Sequence, residues 1–208
     1  MRSHWLLMFV LVTFFSAAAV SNAAAQPKYT ITDLGTLGGD SSFATSINNS
    51  GHVTGYSYPS ANQSIHAFYY DGQMHDLGAL GASASSDTFS VGSKINDSDQ
   101  VAGTTLDVSG NAQAFLWDAH YGMQSLGLPN THGVAINNLG QIVGGTSSIT
   151  FGQVSQAFLW DAKTGVQWLP LLAGCTSMSG NGVNDSGTVV GYCESPEQAF
   201  VWDNFQGT

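Results

Sequence analysis

The chain has 208 residues, of which 43% are hydrophobic, 11% aromatic and only 9% charged. Four Lys and Arg residues stand against fourteen Asp and Glu residues, so the formal net charge is −10 at pH 7, which argues against nucleic acid or an anionic membrane surface as partner. Few charges, many Gly residues and abundant aromatic and β-branched residues are typical of an extracellular all-β protein, and the length fits one such domain.

The first 25 residues have the organisation of an export signal. Arg2 supplies the positive charge, residues 5–15 form an apolar core, and residues 23–25 are small residues suited to cleavage before Gln26. The apolar run is shorter than the roughly 20 residues that a spanning helix needs, so a retained membrane anchor is the weaker alternative. The sequence therefore predicts a signal peptide over 1–25, a domain over 26–208 without a membrane span, and an extracytoplasmic location: secreted, periplasmic or at the cell surface.

Residues 29–34 alternate apolar with polar or small residues, which predicts a strand. Four further strands are predicted over 44–48, 52–57, 66–70 and 73–77, because turn residues such as Asn-Ser-Gly and Asp-Gly separate them where hairpins need them. These four strands are expected to pair in order as an antiparallel meander.

A five-residue motif defines an internal repeat. Ala-Phe-Leu-Trp-Asp stands at residues 157–161 and 114–118, and recurs with changes at 199–203 and 67–71, each time after a segment of the pattern Ile/Val-Asn-x-x-Gly-x-Val/Ile-x-Gly or close to it. Phe and Trp point to one face of this strand and Ala and Leu to the other, so both faces are apolar. Such strands are covered on both sides, as in blades that stack around an axis.

The turns and glycines of the repeat suggest specific roles. Asn48, Asn137 and Asn184 begin turns in which the Asn side chain bonds the following amides and a Gly supplies the positive φ. The second copy has Asp99 at the Gly position, and Asp tolerates the left-handed conformation better than most residues. The sequence Asp-Ser-Asp at residues 97–99 also suggests a calcium-binding loop, but it lacks the following Gly and the distal Glu of such a loop, so a turn is the better interpretation. The second strand of each repeat also contains a glycine, at residues 55, 103, 144 and 191. Their regular recurrence predicts close approach by a neighbouring aromatic ring.

The last copy stops after residues 199–203, where its fourth strand should begin. The unattached strand at 29–34 is predicted to supply it, because Asp33-Leu34-Gly35 matches residues 76–78 of the first copy. The sequence therefore predicts a β-propeller of four four-stranded antiparallel blades, closed into a ring by the N-terminal strand. Part of a larger propeller is the alternative, and a β-solenoid is less favoured because its repeats are usually shorter.

The repeated motifs resemble those of a known family. A resemblance to the HAF family of probable bacterial extracellular repeats is carried by His66-Ala67-Phe68 and by residues 113–117, 156–160 and 198–202. Other parts of that repeat are similar to residues 33–39 and 136–144. The resemblance implies an extracytoplasmic location and repeated β-structure, and it carries no activity or catalytic residue. The family's His stands only at His66, with Gln in the other copies, which favours a hydrogen-bonding role over a metal ligand.

The two cysteines, Cys175 and Cys193, flank the turn at residues 183–187 in the last repeat. In an oxidising compartment this pair predicts a disulfide, which would contribute about 3 kcal/mol by restricting the unfolded chain. Folding back about the turn leaves the two cysteines three residues out of register, so the loop near Cys175 must absorb the offset. Two buried free thiols are the alternative.

The sequence predicts no catalytic residue, no metal site and no cofactor. It contains no phosphate-binding Gly loop, no His pair at zinc-ligand spacing and no free Cys nucleophile in an oxidised chain. The long connections between second and third strands and between blades are expected to share one face, the variable face, where binding usually resides. Five acidic residues fall on it and are the predicted binding residues: Asp40, Asp87, Asp107, Glu194 and Glu197.

Two classes of function follow from these features. The first is a secreted non-catalytic binding or interaction module for an extracellular protein or glycan, in which the acidic rim takes a cation or a basic partner. The second is a propeller-type carbohydrate-active hydrolase or lyase, which needs two carboxylates about 5 to 9.5 Å apart in a cleft. A structural surface protein assembled through its repeats is a third alternative.

Overall fold

The computed structural model describes residues 29–59, 64–81, 89–146 and 155–203. These residues form strands and no helix, and residues from Asp33 onward belong to one compact unit that contains all the strands. Accordingly, no helix in the described part of the chain could cross a membrane. The predicted signal peptide, residues 1–25, lies outside the described residues.

The strands form four antiparallel sheets, each a meander of consecutive strands. Sheet 1 contains β1 (Gly38–Ile47), β2 (Val53–Pro59), β3 (His66–Tyr70) and β4 (Met74–Asp76). Sheet 2 contains β5 (Ser90–Ile95), β6 (Val101–Leu106), β7 (Ala112–Asp118) and β8 (Gly122–Pro129). Sheet 3 contains β9 (Thr131–Ile136), β10 (Ile142–Thr146), β11 (Ala157–Asp161) and β12 (Gly165–Trp168). Sheet 4 contains β13 (Met178–Val183), β14 (Val189–Glu194) and β15 (Glu197–Trp202).

The meander is confirmed, but the prediction of four strands in every sheet is wrong for sheet 4, which has three strands among the described residues. Residues 29–34 are not in a strand, and Ile31 is 98% exposed. The physical reason is loop closure: β4 follows β3 after a tight turn and pairs locally, whereas residues 29–34 need a partner from the far end of the chain. The described residues form no closed ring.

The sheets stack in chain order. β5 contacts sheet 1, β9 contacts sheet 2 and β13 contacts sheet 3, while sheets 1 and 4 make no comparable contact among the described residues. An apolar cluster fills each of the three interfaces, and Trp117, Trp160 and Trp202 pack against these clusters. The motif strands of sheets 2 and 3 are therefore covered on both faces, as their pattern predicted, whereas Val201 in the motif strand of sheet 4 is 65% exposed.

Three of the four recurrent glycines of the second strands, Gly103, Gly144 and Gly191, lie under aromatic rings, as expected, whereas Gly55 lies against the backbone of β1. A Cβ added at Gly103 or Gly191 would stand less than 3.0 Å from the ring of Phe115 or Phe200 and also from a backbone carbonyl oxygen of the first strand. Any side chain here would push the first strand and the ring away from the second strand. These glycines allow the strands and the aromatic ring to approach closely.

The predicted disulfide joins Cys175 to Cys193, with their Cα atoms 5.9 Å apart. Cys193 faces Met178 in the β13–β14 ladder, so the loop before β13 absorbs the three-residue offset to Cys175. Both cysteines are buried in the cluster between sheets 3 and 4. The bridge therefore fixes the connection that leads into sheet 4.

Candidate functional site

The predicted acidic residues occupy different environments. Asp40 is exposed in β1, and Asp107 begins the turn after β6. Glu194 ends β14 and Glu197 begins β15. Asp87 lies outside the described residues.

Asp107 is part of a turn rather than a free binding group. Its carboxylate accepts hydrogen bonds from the backbone N–H groups of Asn111 and Ser109 at 2.9 and 2.8 Å, and from Nε2 of Gln113 at 2.9 Å. These bonds, led by that from Asn111 N–H, hold the pKa of Asp107 below its ordinary value. Asp107 and Gly110 thus repeat the spacing of the Asn-x-x-Gly turns, and the backbone N–H of Gly110 donates to the carbonyl oxygen of Asp107 at 2.9 Å.

Glu194 and Glu197 are brought together by the β14–β15 hairpin, in which they are directly opposite each other. Both side chains are exposed and border an open cavity of about 350 Å³. The residues that line this cavity are Tyr192, Cys193, Glu194, Glu197, Gln198 and Ala199. Two of the predicted acidic residues thus share one concave surface at the end of the stack.

The outer face of sheet 4 is apolar and uncovered. Val201 is 65% exposed, whereas Leu159, at the same motif position in sheet 3, is 5% exposed. Val190 is 48% exposed, whereas its counterpart Val143 is fully buried. This surface, called the terminal face, comprises Val190, Tyr192, Glu194, Glu197, Ala199 and Val201. It carries the kind of side chains that the inner sheets bury, but no described sheet lies on it.

The first sheet presents a similar surface at the opposite end. Ile47 is 66% exposed, whereas Ile95 and Ile136, at the same position of β5 and β9, are 6% and 8% exposed. Ala44 lies on the same side of β1 and is also exposed. We call this surface the leading face. The stack therefore has two uncovered ends that differ in composition.

The tight turns between first and second strands each begin with Asn, and they line the face opposite the variable face. The Oδ1 of each Asn accepts the backbone N–H groups two and four residues later, at 2.9–3.1 Å. The predicted turn geometry is confirmed, because Gly51, Gly140 and Gly187 have positive φ and Asp99 adopts a φ of 60°.

Hydrogen bonds also connect these turns from sheet to sheet. The Nδ2 of Asn48 donates to the carbonyl oxygen of Asn96 at 3.0 Å, Asn96 to Asn137 at 2.9 Å, and Asn137 to Asn184 at 2.7 Å. We call this series the Asn ladder. Every bond in it has its donor in one sheet and its acceptor in the next, so the ladder has a direction.

A second series of bonds runs beside the first. The backbone N–H of Asn49 donates to Asp97 Oδ1 at 3.0 Å, that of Asp97 to Asn138 Oδ1 at 3.0 Å, and that of Asn138 to Asp185 Oδ1 at 2.8 Å. Hydrogen bonds from the Asn49 backbone and side chain hold the pKa of Asp97 below its ordinary value. The tight-turn face is thus committed to holding the sheets together.

A polar cluster joins sheets 1 and 2 at the same face. Asp99 Oδ1 lies 2.7 Å from His52 Nδ1 and accepts a bond from Asn48 Nδ2 at 2.7 Å, while the Tyr69 hydroxyl lies 2.9 Å from His52 Nδ1. Burial and, next, the charge of Asp99 raise the pKa of Tyr69 to about 12. Asp in place of Gly at position 99 is the sequence signal for this cluster, which the repeat pattern alone did not predict.

Tyr69 should make the folded state sensitive to alkali. Its pKa is about 12 in the folded chain and 10.0 in a free side chain, so above about pH 10 the unfolded chain releases a proton that the folded chain retains. Stability should therefore fall as the pH rises from 10.0 towards about 12. Urea unfolding midpoints across this range should fall less steeply for Tyr69→Phe than for the native chain. Equal slopes of midpoint against pH in the two proteins would show that Tyr69 has the same pKa in the folded and unfolded chains. Slopes are compared, rather than midpoints, because the substitution also removes the bond to His52 and lowers stability at every pH.

His66 bonds to a carboxylate, as the Gln residues of the other copies suggested. Its Nδ1 lies 2.9 Å from Asp76 on the neighbouring strand, and the equivalent Gln156 donates to the carbonyl oxygen of Leu169 at 3.0 Å. Burial acts to raise the pKa of Asp76, but the bonds from His66 and Gly78 N–H outweigh it, so the pKa lies below its ordinary value. Moreover, the described residues contain no group of three or more His, Cys, Asp or Glu side chains arranged to hold a metal ion.

No protein-family model matches the sequence, and a search of curated proteins gives no significant match. The resemblance to HAF repeats therefore stays a prediction that rests on the repeated motifs.

Among the described residues, the terminal face has the features of an interaction surface. It combines exposed apolar side chains with two neighbouring carboxylates beside a cavity. Exposed apolar patches of this kind are typical of interaction surfaces.

Proposed function

We propose that the chain is a non-catalytic extracytoplasmic interaction module, and that it binds its partner through the terminal face. One observation carries this proposal: positions that the first three sheets bury almost completely are open to solvent in the fourth, as at Val190 and Val201. Full burial of a large apolar side chain contributes about 1.5–3 kcal/mol of free energy, so a partner that covers this face forms a complex stabilised by that burial.

Two observations support the extracytoplasmic part of the proposal. The disulfide between Cys175 and Cys193 is typical of oxidising compartments. The first 25 residues have the charge, apolar core and small residues of an export signal. Neither identifies the compartment more closely than secreted, periplasmic or cell surface.

We further propose that the four sheets are consecutive blades of a β-propeller. The shared strand order, the burial of the motif strands of sheets 2 and 3 on both faces and the sheet-to-sheet Asn ladder support this architecture. The leading and terminal faces are both uncovered. This favours an arrangement in which further sheets or a partner cover the two ends of the stack, rather than a closed ring of four blades. The loops of the variable face, including the hairpin of Glu194 and Glu197, then border the binding surface.

The test is a binding screen with a matched pair of variants. The purified chain is screened by surface plasmon resonance against glycans and against basic and acidic peptides, and each ligand that binds is retested with Val201→Asp and Val108→Asp. Both valines are highly exposed, but Val108 lies in the turn after β6, away from the terminal face. We expect Val201→Asp to weaken binding about tenfold or more and Val108→Asp to leave it unchanged. Ligands that bind both variants equally would contradict the proposal.

A carbohydrate-active hydrolase or lyase is the second candidate, because Glu194 and Glu197 are direct cross-strand neighbours beside a cavity. Such neighbours have Cβ atoms about 4.5–5.5 Å apart, so rotation of the two side chains can bring their carboxyl groups to the spacing of about 5 to 9.5 Å that catalysis needs. Release of reducing sugar from polysaccharides by the native chain, and its loss in both Glu194→Gln and Glu197→Gln, would support this candidate. Activity that survives both substitutions would remove it.

A further inference from the structure

We propose that the partner of the terminal face is the leading face of a second copy of this chain, so that copies associate head to tail. This inference rests on the proposed function and names the partner. The contact repeats the interface that already joins sheet 1 to sheet 2, sheet 2 to sheet 3 and sheet 3 to sheet 4. Its occupant follows from two features of the two ends, hydrogen-bond direction and apolar composition, and a third feature, the closeness of approach between sheets, sets the strength of the contact.

The first feature is the direction of the Asn ladder. Each bond of the Asn ladder and of the series beside it has its donor in one sheet and its acceptor in the next, so both series end at sheet 4 with donors. These donors, the Nδ2 of Asn184 and the backbone N–H of Asp185, have no acceptor among the described residues. At sheet 1 the two series begin with acceptors that no preceding sheet uses: the carbonyl oxygen of Asn48 in the Asn ladder and Oδ1 of Asn49 in the series beside it. Donors at one end match acceptors at the other, so the ladder continues when sheet 4 of one copy meets sheet 1 of the next.

The second feature is the composition of the two faces. Ile95 of sheet 2 packs into a cluster with Ala67 and Tyr69 of sheet 1. In a head-to-tail contact Ile47 takes the place of Ile95, and it meets Ala199 and Val201, which stand at the positions of Ala67 and Tyr69. Each face thus offers the residue type that the internal interfaces bury at the same position.

The third feature is the close approach of the sheets. A Cβ added at Gly92, Gly133 or Gly180 would stand less than 3.0 Å from an atom of the preceding sheet. Sheet 1 has Ala44 at this position, opposite Gly55. Its methyl group keeps a preceding sheet further away, so the contact between copies is weaker than the interfaces within a copy. Removing that methyl group in Ala44→Gly should therefore strengthen the association.

Head-to-tail contact makes the interface heterologous, which a mixing experiment tests directly. Sedimentation velocity of the native chain over a range of concentrations should show reversible self-association, and salt should strengthen it because each copy carries a formal net charge of −10. Ile47→Asp and Val201→Asp should each sediment as monomers. An equimolar mixture of the two should form a dimer and nothing larger, since each variant supplies the face that the other lacks.

The controls separate this inference from other outcomes. Val108→Asp should associate like the native chain, and Ala44→Gly should associate at lower concentration. Circular dichroism and urea unfolding identify any variant that fails to fold; Ile47→Lys and Val201→Lys then replace it. A native chain that is monomeric at every concentration overturns the inference, and so does a mixture that stays monomeric. If Val201→Asp nevertheless loses a ligand found in the screen, the proposed function stands and only the identity of the partner is wrong.

Discussion

Replacing Gly144 by Ala is expected to destabilise the fold by about 3 kcal/mol. Gly144 lies in β10, where an added Cβ would stand less than 3.0 Å from the carbonyl oxygen of His132 and also crowd the ring of Phe158. A backbone oxygen cannot move aside without separating β9 from β10, so the methyl group strains the centre of sheet 3. Urea unfolding followed by circular dichroism measures the loss.

Gly145 is the matched control for this prediction, because it is the next residue of the same strand and is also buried. A Cβ added there would meet Ser179 Oγ at 3.3 Å and His132 Cε1 at 3.4 Å, both of them side-chain atoms that can shift. Ala also restricts the unfolded chain, so Gly145→Ala should change the stability by no more than about 1 kcal/mol in either direction. Equal losses in the two variants would contradict the role assigned to close approach at Gly144.

The repeat itself carried most of what could be predicted about the fold. The alternation within residues 157–161 indicated a strand covered on both faces, and the Asn-x-x-Gly spacing indicated the tight turns. The pairing of Cys175 with Cys193 followed from their positions around one hairpin. Each of these predictions concerns contacts between neighbouring segments, which a local pattern determines.

The predicted strand at residues 29–34 was wrong because its pattern says nothing about its partner. Its alternation resembles that of β4, but β4 follows β3 after a tight turn and gains a partner at little cost in chain entropy. Residues 29–34 have no such neighbour. The alternation of apolar residues is therefore a weaker predictor of a strand than the presence of an adjacent hairpin.

The candidate site could be predicted only in part. The acidic hairpin of Glu194 and Glu197 was found from the topology, and Asp107 could have been assigned to a turn from its spacing to Gly110. The exposed Val190 and Val201 could not be found, since their sequence context is the same as that of buried residues in the other sheets. What distinguishes them is the position of sheet 4 at the end of the stack, a property of the assembled chain.

Asn137→Ala is the second substitution with a large expected effect, about 3 kcal/mol of lost stability. Asn137 is 4% exposed, and its Oδ1 accepts the backbone N–H groups of Leu139 and Gln141 at 3.1 and 2.9 Å. Its Nδ2 donates to the carbonyl oxygen of Asn184 at 2.7 Å, which joins sheet 3 to sheet 4. Alanine removes the acceptor of the two turn N–H groups and the donor that joins sheet 3 to sheet 4, and urea unfolding measures the cost.

Asn184→Ala separates the two contributions, because Asn184 closes its own turn in the same way but donates to no following sheet among the described residues. We expect it to cost about 1 kcal/mol. The difference of about 2 kcal/mol from Asn137→Ala then measures the burial of Asn137 together with the two bonds of its Nδ2 group, to the carbonyl oxygen of Asn184 and to Oε1 of Gln141, each 2.7 Å long. Asn137→Asp provides an independent check: it keeps the acceptor for the turn but places a carboxylate oxygen against the carbonyl of Asn184. We expect it to cost at least as much as Asn184→Ala, because this repulsion replaces the bond between the sheets. Equal losses in Asn137→Ala and Asn184→Ala, with little loss in Asn137→Asp, would mean that the ladder does not hold the sheets together.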